Sequence, residues 1–370
     1  MVSLLSFLLV AAAAVAQTGP RVQISHTTEN LRGVSAVSRD IAWASGTHGT
    51  YVRTIDGGRT WTPAQVPDAG ALDFRGVVAF SADEAFLMSA GPGEQSRLYH
   101  TADGGRHWQL QFTNTNRKGF FDSMAFWDAK HGVVLGDPIP DESGKLKFEV
   151  LLTDDGQNWR ATRSSQMPAA MEGEGGFAAS NTCVATPPGS DANIWFATGG
   201  KTARVFHSAD RGQSWQVFET PIMHGPDSAG IFSIAFRDAM HGVIAGGDYK
   251  QPKGDGPNLA FTEDGGKTWK LSALHPLAYF SAVAYDRRVN ETELRNEAAA
   301  GNDKKKGIQP IPAERIFIVG QDFIFDFRPP GNPQRINGKK KLGIKFNAVS
   351  AYPDGGALVV GPKGAIALVP

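Results

Sequence analysis

The chain has 370 residues with 37 Lys+Arg against 37 Asp+Glu, so its formal net charge at neutral pH is zero. That balance argues against a general nucleic-acid binder, which carries a basic excess. Hydrophobic content of 41% with 43 Gly and 22 Pro fits many short strands separated by turns.

Residues 1–16 read as a secretory signal, with an uncharged apolar stretch from Leu4 to Val15 and a small-x-small site at Ala14-Val15-Ala16 before Gln17. The stretch is too short to span a bilayer comfortably, and no later segment is a membrane-length apolar run. The expected location is periplasmic or extracellular. Cys183 stands alone, so no intramolecular disulfide can form, and it reads as a small buried hydrophobe.

From Leu31 onward one unit recurs. Its pattern is a strand, a turn, a Gly-ended apolar strand, a short third strand and a conspicuous turn before a Trp. The first copy runs Leu31–Val37, Ile41–Gly46, Gly49–Thr54, then Thr54-Ile-Asp56-Gly-Gly58-Arg-Thr-Trp61. The second runs Phe74–Phe80, Ala85–Gly91, Ser96–Thr101, then Thr101-Ala-Asp103-Gly-Gly105-Arg-His-Trp108. The third ends in Leu152-Thr-Asp154-Asp-Gly156-Gln-Asn-Trp159, with Leu152 departing from the Ser/Thr of the others. The fourth runs Gly176–Ala185, Asn193–Gly200, Ala203–Ser208, then Ser208-Ala-Asp210-Arg-Gly212-Gln-Ser-Trp215. The fifth closes on Thr262-Glu-Asp264-Gly-Gly266-Lys-Thr-Trp269 and shares with the third the turn Asp-Ala-x-His-Gly.

Two more units keep the strands without that turn: Tyr279–Tyr285, Arg315–Gly320, Phe323–Phe327; and Phe346–Tyr352, Gly356–Gly361, Gly364–Val369. The last has only three strands, and Arg21–His26 has no other partner. The expectation is an all-β, seven-bladed β-propeller over residues 17–370, its ring closed by the N-terminal strand, with an insertion at about 286–313 holding a short helix and a charged loop. Recurrence at roughly 50-residue intervals is the signature of such a fold.

Each residue of the turn has a physical reason. The Asp carboxylate accepts backbone N–H groups just ahead of it, Gly permits positive φ, and the Trp buries a large ring between sheets. The five copies are identified as the Asp-box, or bacterial neuraminidase repeat. On this reading Asp56, Asp103, Asp154, Asp210 and Asp264, with Trp61, Trp108, Trp159, Trp215 and Trp269, are structural rather than catalytic.

Propeller geometry puts these turns on one face and any ligand site on the other, around the channel. There the repeat register places Arg32, Arg75, Phe120, Glu172, Glu174, Tyr279 and Lys345 ahead of first strands. After second strands it places His48, Asp137, Lys201, Asp248, Gln321 with Asp322, and Lys363. Arg32 and Arg75 have the geometry to clamp an anion. Glu172-Gly-Glu174-Gly-Gly176 puts two acids in a loop the strands do not need. With Asp137 and Asp248 these are the candidates for paired-carboxylate glycoside chemistry. The plainer reading is that opposite charges around a small mouth neutralise one another. No metal-spaced His/Cys set, haem motif or dinucleotide fingerprint is present, so neither cofactor nor metal is expected.

The whole mature chain resembles the photosystem II stability/assembly factor family of seven-bladed propellers and its exported bacterial relatives. The resemblance is carried by Leu31-Arg-Gly-Val34, Phe74-Arg-Gly-Val77, Ala42-Trp43-Ala-Ser-Gly46 and the boxes at 54–61 and 262–269. It implies a lumenal or periplasmic scaffold that binds partner proteins through an arginine-bearing surface, on which Arg32 and Arg75 would lie. Later blades replace that Arg with Phe120, Glu174 and Tyr279. Sialidases share the Asp-box, but neither Phe74-Arg75-Gly-Val nor Phe327-Arg-Pro-Pro330 matches their Phe/Tyr-Arg-Ile-Pro segment, and seven repeats exceed their six. The expected function is a monomeric, non-catalytic scaffold or assembly-factor-like protein binding a protein partner through the channel face. The alternative is a glycan-binding or glycoside-hydrolysing enzyme using the rim acids.

Overall fold

A computed structural model describes residues 19–162, 166–187, 189, 192–273, 278–287, 315–320, 323–327, 334–335 and 344–370. Residues 1–16, expected to be a signal segment, and nearly all of the insertion expected at 286–313 lie outside the described residues.

The described strands form seven antiparallel sheets. Blade one is Leu31–Ala36, Ala42–Gly46, Thr50–Thr54 and Thr62–Gln65; blade two is Asp73–Ala79, Ala85–Ala90, Arg97–Thr101 and Gln109–Thr113. Blade three is Phe121–Phe126, Gly132–Pro140, Leu146–Thr153 and Arg160–Ala161; blade four is Val184–Ala185, Ile194–Ala197, Arg204–Ser208 and Gln216–Glu219. Blade five is Ala229–Phe236, Gly242–Asp248, Leu259–Thr262 and Lys270–Leu271; blade six is Phe280–Tyr285, Ile316–Gly320, Phe323–Phe327 and Gln334–Arg335. Blade seven takes Ala348–Ala351, Ala357–Gly361 and Ala365–Val369 from the C-terminal end, and Arg21–Gln23 is its fourth strand. Val22 pairs antiparallel with Ala367, so the ring closes as the repeat pattern requires. This spares blade seven a row of unpaired backbone groups.

Seven apolar clusters among the described residues correspond to the seven blade-to-blade interfaces. Second strands are the most apolar, because each is covered on both faces by neighbouring blades. Trp43 and Trp195 there are fully buried and donate their indole N–H to Ser81 O and Gly265 O of the next blade. The box tryptophans pack back towards the preceding blade. Trp61, Trp215 and Trp269 are buried, whereas Trp108 and Trp159 are only half-buried, which corrects the expectation that all five rings are enclosed.

Four boxes share one bonding scheme. Thr54 Oγ1 donates to Asp56 Oδ1 (2.9 Å) and accepts from Gly58 N (2.9 Å), while Asp56 Oδ1 accepts from Thr60 N (2.9 Å). Gly58 sits at φ 75°, where a Cβ would be strained. Asp103, Asp210 and Asp264 repeat the pattern with His107, Ser214 and Thr268. The third box departs from the sequence reading. Thr153 bonds Asp155, and Asp155 accepts from Gln157 N and Asn158 N. Asp154 is exposed and instead pairs with Arg160 and Arg211. Counting back from Trp159 put the register one residue early; the Thr-x-Asp spacing, which builds the turn, is kept, and the step from that Asp to the bonded glycine is one residue shorter.

Glutamines staple two boxes to the neighbouring blade. Gln23, on the ring-closing strand, donates to Gly57 O and accepts from Trp61 Nε1 (2.9 Å). Gln111 does the same for Gly156 O and Trp159 Nε1.

Candidate functional site

The starts of the first strands and the ends of the second strands share one face, and their side chains meet around the axis. First strands at the centre expose inward N–H groups, and side chains of adjacent blades accept them. Ser350 Oγ takes Ala36 N, Ser35 Oγ takes Ala79 N and Ser233 Oγ takes Val283 N, at 2.9–3.0 Å. Asn181 Oδ1 takes Met124 N at 2.8 Å. These bonds satisfy backbone donors that a bare channel would leave to water.

Blade four breaks this regularity, contrary to the strand expected over Gly176–Ala185. Only Val184–Ala185 pairs as a first strand, while Glu174–Gly175 pairs with Gly199–Gly200, and Gly199 pairs with Gly230 of blade five. Residues 174–182 therefore cross the channel. Ala178 O accepts from Arg75 Nη1 of blade two (3.0 Å), Gly176 N donates to Asp137 Oδ1 of blade three (2.9 Å) and Ser180 Oγ donates to Ser281 O of blade six (2.8 Å). Phe177 stacks on Phe232 of blade five with centroids 3.8 Å apart. The channel has a cross-piece contributed by its own chain.

Glu174 is the best-satisfied acid of the face. Its side chain is 0% exposed and makes a two-pronged pair with Arg204, itself 6% exposed. Arg204 Nε lies 3.0 Å from Oε1 and Nη2 2.5 Å from Oε2, while Thr198 Oγ1 and Met171 N donate at 2.7 and 2.8 Å. The neutralising cation is thus Arg204 on the third strand of blade four, not Arg32, Arg75 or Lys201. Glu172, two residues earlier, is exposed. Asp248 is 5% exposed and caps its own turn by accepting from Lys250 N (2.9 Å). Asp137 is half-buried, and burial raises its carboxyl above the usual range although Gly176 N opposes the shift.

The arginines are committed to one carboxylate. Asp73 Oδ2 lies 2.8 Å from Arg75 Nε and 3.5 Å from Arg32 Nη2. Burial lowers Arg32, Asp73 opposes that shift, and its electrostatic neighbours include Tyr279, so blades one, two and six meet here. Tyr279 is buried and its hydroxyl is pushed well up by burial and by Tyr249. Phe232 packs edge-on against Tyr279 (4.8 Å) and Tyr249 (6.1 Å). Arg32, Arg75, Asp137, Glu174, Asp248 and Tyr279 thus gather at one end of the ring from six blades. Lys201 sits outward, 3.6 Å from Asp227, and His48, 70% exposed, pairs with Glu29 at 2.7 Å. Gln321 and Asp322 lie outside the described residues.

Sequence reading missed Asp73, Asp122, Arg204, Phe177, Phe232 and Tyr249. Asp122 carried a signal, being an acid inside the apolar run Phe121-Asp-Ser-Met-Ala-Phe126. Among the described residues no group of three or more His, Cys, Asp or Glu is placed to hold a metal. No helix there is long and apolar enough to cross a membrane.

The family described as photosynthesis system II assembly factor YCF48 matches residues 14–162. The chain is 23% identical over 260 residues to the photosystem II assembly lipoprotein Ycf48 of Synechococcus sp. (strain CC9902), covering 62% of this chain and 74% of that protein. It is 35% identical over 129 residues to the chloroplastic photosystem II stability/assembly factor HCF136 of Arabidopsis thaliana, a match spanning 34% of this chain and 29% of that relative. A solved structure of YCF48 bound to a D1 peptide superposes with TM-score 0.62 at 16% identity, covering 97% of this chain and 99% of that one. The WD40 propeller domain of Doa1 superposes with TM-score 0.57 at 12% identity, covering 94% and 96%. The chain is a seven-bladed propeller that resembles the photosystem II stability/assembly factor family.

Proposed function

We propose that this protein is an exported, non-catalytic propeller scaffold that binds a segment of a partner protein on its channel face. The observation that carries the reading is the Glu174–Arg204 pair. Of the two candidate acids in the unusual loop, Glu174 is sealed, fully hydrogen-bonded and opposed by a cation, so it holds the face together instead of handling protons. Asp248 is spent on a turn and Asp137 on Gly176 N, which leaves Glu172 as the exposed acid of the set. A glycosidase needs two accessible carboxyls flanking one bond. The face does offer contact chemistry suited to a protein, since Met171 is 48% and Tyr249 43% exposed beside it. The related YCF48 structure contains a peptide, which supports the choice of partner class. The signal-like residues 1–16 and the lipoprotein and chloroplastic relatives support export and a single propeller over 17–370.

Photo-crosslinking tests this. A crosslinkable residue placed at Met171 or Tyr249 should give discrete protein adducts in the cell envelope. The same residue at Ile55 or Met240 on the opposite face should give none. Adducts only from the box face, or turnover of a glycoside that Glu172→Gln abolishes, would remove the proposal.

A further inference from the structure

The cross-piece at 174–182 rests on a feature that neither strand pairing nor partner binding explains. Asp122 is 1% exposed, and its Oδ2 is sealed from solvent without a hydrogen-bond partner. That oxygen lies against Gly176, where a Cβ would come within 2.3 Å of it. Asp137 lies against the neighbouring glycine, its Oδ1 2.8 Å from where a Gly175 Cβ would stand, and accepts Gly176 N. Two carboxyl groups from blade three therefore brace one Gly-Gly step of blade four.

Among the described residues few charges face this pair. From blade two comes Arg75, whose guanidinium already serves Asp73 and Ala178 O. From blade four comes the buried Cys183 thiol, and from blade three only the two acids themselves. Desolvation first, then Asp137, holds the Asp122 carboxyl well above the usual carboxylate range, and Arg75 only partly opposes this. Ionising both acids would put two anions across one peptide in a dry site, with no cation dedicated to either.

We propose that residues 174–182 form a pH-gated closure of the channel, latched while the Asp122–Asp137 pair holds a proton and released when both carboxyls ionise. Asn181 Oδ1 on Met124 N ties the far end of the cross-piece, so the step that the two acids bear on is the glycine pair between its ties. Gly173 and Asn181 sit at φ 73° and 64°, bracketing the glycine pair, while the Glu174–Arg204 pair anchors its start. Linkage fixes the sign. The acids bind protons more tightly closed than open, so closure is fully present below the open-state pKa, about 4 for Asp. It is lost as pH rises through the closed-state value, by about tenfold per pH unit for one ionising group.

Hydrogen exchange read by mass spectrometry on the full-length protein tests this, scanned from about pH 5 to about pH 9, where buried carboxyls titrate. Rates are corrected for intrinsic exchange. Protection at Gly176 N should fall with rising pH while Ala42–Thr54 of blade one stays constant. Asp122→Asn should hold protection flat. Asp137→Asn keeps an acceptor for Gly176 N but removes the like charge, so its fall should be smaller in total, and it decides the matter should Asp122→Asn not fold. Protection that is flat in the parent protein, a fall that is identical in both variants, or a loss shared by blade one would each overturn the closure.

Discussion

Neutralising Glu174 offers the sharpest separation of a structural from a catalytic rim. Glu174→Gln keeps the shape of the side chain but removes its charge from a site that is 0% exposed, opposite an arginine that is 6% exposed. Of the four donors now served, the amide oxygen can still take Arg204 Nε and Thr198 Oγ1, while its NH2 group turns a donor towards Met171 N and Arg204 Nη2. Breaking one half of a buried pair costs about 3–5 kcal/mol, because the remaining charge stays desolvated. Arg204 keeps Ala169 O and the face of Phe206, which places the expected loss at the lower end, about 3 kcal/mol. Urea denaturation followed by tryptophan fluorescence measures it, provided the slope is unchanged. Arg204→Met should cost a similar amount. The double variant Glu174→Leu/Arg204→Met should recover most of the loss, since well-packed apolar replacements of buried pairs are often neutral. A Glu174→Gln loss below about 1 kcal/mol, or a double variant as unstable as the two singles added, would refute the structural reading of the Glu174–Arg204 pair.

The third box distinguishes its two candidates directly: Asp155→Ala should lower the melting temperature, whereas Asp154→Ala should not, having lost only exposed pairs with Arg160 and Arg211. Trp61→Ala should cost about 3–5 kcal/mol because the ring is sealed between blades seven and one. Trp108→Ala should cost less in the same denaturation assay, its ring being partly exposed. Gln23→Ala should lower stability by about 1–3 kcal/mol, leaving Trp61 Nε1 and Gly57 O unpartnered where the ring closes. His207 is held neutral by burial, aided by Lys267, with its pKa lowered from 6.5 to about 4. The unfolded chain takes up a proton first as pH falls, so this group's stabilisation is present above 6.5 and is lost towards about 4. His207→Phe, which keeps a ring stacked on Trp195, should therefore show a shallower acid limb in melting temperature against pH.

The ring was legible because its causes repeat. Apolar second strands, glycines at their ends and a Trp after each turn recur in step, so one weak repeat is carried by its neighbours. Even the missing fourth strand could be placed, because Arg21–Gln23 had no other edge to fill. The third box shows the limit of that method. Its turn is held by Thr153 and Asp155, yet alignment on the large Trp159 is visually stronger and misplaces the carboxylate by one residue. Blade four failed for a different reason. Gly176–Ala185 is apolar enough to be a strand, and nothing local says that Asp122 and Asp137 will hold its glycines across the axis. Register put Glu174 on the correct face but could not supply Arg204, because a partner thirty positions away depends on which side each strand presents.

Arg75 joins the arginine side of the channel face to the cross-piece. Its Nε holds Asp73 on its own strand, while Nη1 holds Ala178 O of the cross-piece. A substitution such as Arg75→Lys, which loses the planar fork, disturbs the Arg32–Asp73–Arg75 cluster and the closure together. Effects of Asp122→Asn, by contrast, start at the closure alone. If partner adducts from Tyr249 vanish with Arg75→Lys but survive Asp122→Asn at every pH, the partner reads the arginine side of the face and the cross-piece serves only the fold. Adducts that depend on pH in the parent protein and not in Asp122→Asn would join partner binding to the closure.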